Sequence, residues 1–120
     1  MDARAFAEVV DQAMESLPEE FALRLDNVAV VLRDEPTDED LREAGLGPGE
    51  ELFGLYVGVP LTDRAGYNLV LPDRILIFQG PHERHFPPHE LVEELQRTVI
   101  HEVAHFFGID DDRLHELGYA

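Results

Sequence analysis

His101, Glu102 and His105 stand in the order H-E-x-x-H within a run of helix-forming residues. Side chains four apart on an α-helix project from one face, about 40° from each other. Two imidazoles so placed can share one divalent ion such as Zn²⁺. The chain has no cysteine, so any metal must be held by imidazole and carboxylate. Glu102 lies beside the pair, where it can exchange a proton with a water on the ion. The run continues Phe106-Phe107-Gly108-Ile109-Asp110-Asp111, giving H-E-x-x-H-x-x-G-x-x-D. A helix continuing past His105 would carry later side chains away from the metal. Gly108 can adopt φ > 0, turn the chain and bring Asp111 back as a third ligand. Asp110 reads instead as the cap of a following helix, while Asp112, His115 and Glu116 compete with Asp111 for the third position.

Other polar residues fall near this constellation. Glu94 and Thr98 share the arc of the two histidines, one to two turns earlier. Leu95, Val99, Val103, Phe106 and Phe107 form an apolar stripe on the neighbouring arc. His82, His85 and His89 precede the helix in a segment that reads as a polar loop. Tyr67, His82, His115 and Tyr119 are the available donors to a developing oxyanion.

The elements that must carry these residues follow from caps and periodicity. Asp2 can cap a helix whose apolar residues Phe6, Val9, Val10, Ala13 and Leu17 recur at helical spacing, with a second short helix over Pro18 to Leu25. Strands are expected over Val28 to Leu32, Leu52 to Val59 and Arg74 to Gln79. Thr37 or Asp38 caps a short helix through Glu43. Residues 61–73 read as a loop with an extended piece at Leu69 to Leu71, and Gly80-Pro81 ends the third strand. Pro88 opens a long helix to about Phe107, and Gly108 ends it. A last short helix spans about Asp110 to Leu117. The result is one α+β domain over residues 1–120, with its longest helix near the C-terminus.

Composition bounds the partners. Nine basic residues, all arginine, stand against 26 acidic ones, a net charge of −17. Such a chain repels phosphates, so nucleic acid and anionic membrane surfaces are excluded as partners. No apolar run is long enough for a signal peptide or a membrane span, which makes a cytoplasmic protein the expectation.

The extended motif resembles that of zincin metallopeptidases, with aspartate where metzincins place a third histidine. More narrowly, the chain is similar to the bacterial family of small, single-domain zincin-like metallopeptidases called minimal zincins. The stretches that carry the resemblance are Leu55 to Thr62, Ile75 to Pro81, Thr98 to Asp111 and Leu114 to Tyr119. It implies a small zincin-like α+β domain: a short mixed sheet against the zinc helix, with helices before it and a short one after. It further implies that His101, His105 and Asp111 bind zinc, that Glu102 is the catalytic base, and that a peptide or protein is the substrate. Zincins bind that peptide along an edge strand above the zinc helix, and Arg74 to Gln79 resembles this strand, although Ile75 and Ile77 alternating with Leu76 and Phe78 also suit a central, fully paired one. The methionine turn of metzincins has no counterpart, since the only methionines are Met1 and Met14. A zinc-stabilised binding or regulatory module with little turnover is the alternative reading.

Overall fold

A computed structural model describes residues 1–58 and 72–119 of the chain. Helix α1 (Ala3–Glu15) starts where Asp2 accepts a hydrogen bond from the Ala5 amide, and α2 (Glu19–Arg24) follows Pro18. Strand β1 (Val28–Arg33) leads to α3 (Asp38–Glu43), whose start is a reciprocal cap between Thr37 and Asp40. Strands β2 (Gly54–Val57) and β3 (Asp73–Phe78) come next, then α4 (Gln79–His85). A 3₁₀ turn at Pro88–Glu90 leads into the long helix α5 (Leu91–Phe106), and α6 (Asp111–Glu116) follows.

The three strands form one mixed sheet in the order β1-β3-β2, with β3 parallel to β1 and antiparallel to β2. Alternation along β3 divides the core. Ile75 and Ile77 join Tyr56 on the face covered by α1 and α5, with Phe6, Val10, Leu95, Val99 and Val103. Leu76 and Phe78 join Leu55 on the opposite face, against Leu41 and Leu52. A central strand buried on both faces is the pattern that continuous Ile-Leu-Ile-Phe provides.

Several expectations need correction. Arg74 to Gln79, expected at the edge above the histidine-bearing helix, supplies the central strand of the sheet, and among the described residues the outer strand on that side is β2. That strand is shorter than Leu52 to Val59, covering Gly54–Val57. Gly80-Pro81 does not end in a loop, because both residues sit inside the first turn of α4. Proline is tolerated there, since first-turn amides need no intrahelical partner. Phe106 and Phe107 do not complete the buried stripe of α5 but are 47% and 42% exposed. Leu91, Ile100 and Ala104 take their place. The extended piece at Leu69 to Leu71 lies outside the described residues.

Candidate functional site

Helix α5 lies directly under β2, and the contact is close. A Cβ added at Gly54 would stand 2.8 Å from Thr98 Cγ2 and 3.1 Å from the Leu76 carbonyl, so only glycine lets the strand settle there. Along this contact the Tyr56 amide donates to Glu102 Oε1 at 3.0 Å. The Tyr56 ring stacks on Phe106 with centroids 4.0 Å apart, and its hydroxyl donates to Asp73 Oδ2 at 2.9 Å. The strand edge thus fixes the position of Glu102. Burial pushes the Glu102 carboxyl above its ordinary pKa, offset in part by the Tyr56 amide and the two neighbouring imidazoles.

His101 is half-buried on the next arc of α5. Its Nε2 is buried and has no hydrogen-bond partner among the described residues. His105, one turn later, is exposed, as is Asp111 at the first position of α6. Gly108 has φ 76°, and it lets the Ile109 amide fold back onto the Ala104 carbonyl at 2.7 Å. This left-handed cap ends α5 sharply and starts α6 beside it. His101, His105 and Asp111 consequently line one hollow of about 400 Å³, together with Gly108, Asp110 and Leu114. The hollow brings the three residues to common walls but does not draw their side chains together. Among the described residues, no three His, Asp or Glu side chains stand close enough to hold a metal ion. Asp110 is committed elsewhere, since its Oδ1 accepts from the Arg113 amide at 2.8 Å and caps α6.

Sequence reasoning placed His82 in a polar loop, yet it is fully buried in α4. Its Nδ1 lies 2.7 Å from the Phe78 carbonyl and its Nε2 lies 2.9 Å from Thr98 Oγ1. A carbonyl only accepts, so Nδ1 carries the proton, while the one hydroxyl proton of Thr98 lies between Nε2 and the Glu94 carbonyl, 3.1 Å from Oγ1. Burial pushes the His82 pKa down and favours the neutral form. Both ring nitrogens are engaged, so His82 is not an oxyanion donor. Tyr119 packs edge-on against Phe21, with centroids 5.4 Å apart. His115 is exposed on α6, and Tyr67 is outside the described residues. His85 pairs with Glu51 at 2.9 Å, and His89 is exposed in the 3₁₀ turn. Glu94 lies 3.4 Å from Arg97. Arg84, unremarked in the sequence, bridges Glu35 and Glu51 with contacts of 2.7 Å to each, tying α4 to the segments on both sides of α3.

Imidazole and carboxylate donors are what zinc accepts when thiolates are absent, and the orphaned Nε2 of His101 is a donor awaiting a partner. The residues around this hollow therefore fit a zinc ion by type. No curated protein matches the chain. A family model described as zincin-like metallopeptidase matches residues 25–119.

Proposed function

The chain belongs to the zincin-like metallopeptidase family, and we propose that it is a zinc-dependent peptidase in which His101, His105 and Asp111 hold the ion and Glu102 is the general base. The observation that carries this reading is the buried His101 Nε2 with no partner, one residue from a carboxylate anchored to the sheet edge. Leaving a buried acceptor unsatisfied costs about 1–3 kcal/mol, which a bound cation would recover. His105 and Asp111 are exposed on the walls of the same hollow, so their side chains can turn inward without breaking the core. When bound, zinc supplies a Lewis acid that polarises a carbonyl and makes water nucleophilic near neutral pH. Glu102 takes a proton from the attacking water and delivers it to the amine nitrogen as the peptide C–N bond breaks. Its burial raises the carboxyl pKa toward the range where it can both accept and return that proton.

The register of β2 says how a peptide would lie. The Phe78 amide donates to the Phe53 carbonyl at 3.0 Å, which fixes the ladder. Residues 53, 55 and 57 therefore turn their main-chain groups toward β3, while Gly54 and Tyr56 turn theirs outward. An extended peptide added at this edge runs along the outward side of Gly54, and its alternate side chains fall on the α5 face. A peptide carbonyl placed on the Tyr56 amide competes with Glu102 for that donor and releases the carboxylate toward the scissile bond.

That same bond favours a second reading. A Glu102 already held by Tyr56 suits a zinc-stabilised binding module with little turnover. Incubating the zinc-loaded chain with a mixed peptide library separates the two. The peptidase reading expects new termini that disappear on chelation; an intact library favours the module.

A further inference from the structure

We infer that a hollow of about 420 Å³ at the outer edge of β2, between the end of α3 and α5, is a side-chain subsite that selects arginine in a bound peptide. The inference deepens the peptidase reading and rests on it for the path of the peptide main chain. The walls are of two kinds. Ala44, Leu46, Leu52 and Leu55 form an aliphatic side, and the stacked Tyr56 and Phe106 rings form an aromatic one. Phe106, stacked on Tyr56, is still 47% exposed.

Charge decides what fills such a space. Among the described residues Glu43 and Glu102 line the hollow and no arginine does. The neighbouring hollow across Gly54 differs, for there Arg97 stands among the lining residues with Glu51 and Glu94. A ligand for the first hollow therefore needs an apolar stem for the leucines, a cation for Glu43 and a flat polarisable group for the rings. Arginine has all three: methylenes that lie along apolar surface and a planar guanidinium that stacks on aromatic faces. Lysine has the stem and the charge without the plane. The molecule already uses an arginine this way one residue further on, where the Arg24 guanidinium lies 5.1 Å from the centre of the Phe107 ring. Glu102 and His105 belong to the site already described, so Glu43 is the carboxylate left to meet a guanidinium on the rings. Glu43 closes α3 and is exposed, so its attraction is screened by water and salt. The selectivity expected is correspondingly modest.

The test is equilibrium binding of extended octapeptides, capped at both ends, to the zinc-loaded chain. They differ only in carrying arginine, lysine, citrulline or glutamate at each position in turn. At one position the arginine peptide should bind roughly 5–10-fold tighter than its neutral isostere citrulline, with lysine between. Amide shifts should centre on Ala44, Leu46 and Leu52. Glu43→Gln should bring the arginine-to-citrulline ratio close to one, and Glu43→Lys should turn the preference toward glutamate. Glu43 is exposed, so unchanged melting temperatures check that both variants fold. Equal binding of arginine and citrulline peptides at every position overturns the subsite, as does a Glu43→Lys variant that weakens all peptides alike. Arginine-selective binding without cleavage leaves the subsite standing and sinks the peptidase reading. Cleavage without charge discrimination does the reverse, and no binding by any peptide sinks both.

Discussion

Asp110 and Asp111 are adjacent carboxylates with separate roles, and their separation is open to measurement. Asp110 Oδ1 accepts from the Arg113 amide, so Asp110→Ala should lower folding stability by about 1 kcal/mol and leave zinc affinity alone. Asp111→Ala removes an exposed side chain, so the metal-free protein should change by less than about 0.5 kcal/mol while zinc binding weakens tenfold or more. Denaturation and zinc titration of both variants check this, and an exchange of the two phenotypes would show that Asp110 is the ligand. His82 is the other residue with a sharp expectation. Removing its buried ring and stranding the Phe78 carbonyl, His82→Ala should cost about 3 kcal/mol at neutral pH. The folded imidazole has a depressed pKa, so in the unfolded chain it takes up a proton first as pH falls. The stability difference between wild type and variant is therefore fully present above about pH 6.5 and shrinks as pH drops below it. A difference that grows on acidification would mean that the buried ring is charged. The Asp110 cap was legible in the sequence because it depends on neighbours within a helical turn. His82 was not, since its partner Thr98 comes from another helix.

Among the elements, those bounded by local signals were readable: α1 behind Asp2, α3 behind Thr37, and α5 closed by Gly108. Helix α4 was hidden by Gly80-Pro81, a pair that ordinarily breaks structure but here occupies a first turn. Alternation in β3 announced two buried faces without saying which strands flank it, because sheet order is a long-range choice. The edge strand was consequently misassigned, and the residue that pins the true edge is Gly54. Gly54→Ala pushes a methyl into Thr98 Cγ2 and the Leu76 carbonyl, and should destabilise the protein by about 1–3 kcal/mol. It should also shift the Tyr56 amide resonance by loosening its bond to Glu102. A variant as stable as wild type would show that β2 does not lie so tightly on α5.

At the scale of the whole molecule the charge of −17 sets the background against which every local contact acts. Exposed pairs such as Arg84 with Glu35 are screened by water, and salt weakens them further. Mutual repulsion of the carboxylates outweighs that loss, so the thermal midpoint should rise as NaCl is increased from about 0.01 to 0.15 M. A falling midpoint in the same scan would mean that the ion pairs dominate. Two faces of a mixed sheet, a glycine that admits β2 to α5 and a glycine that turns α6 back toward His105 together hold the site's residues around one helix end. Among the described residues no helix is long and apolar enough to cross a membrane. On the proposed reading Glu102 moves the proton in peptide hydrolysis while the histidines and Asp111 hold zinc. The decisive comparison is the cleavage rate of zinc-loaded Glu102→Gln against zinc-loaded wild type. Wild type should cleave, and the variant should lose at least about a hundredfold at equal zinc content. Equal rates in the two proteins would rule out Glu102 as the base.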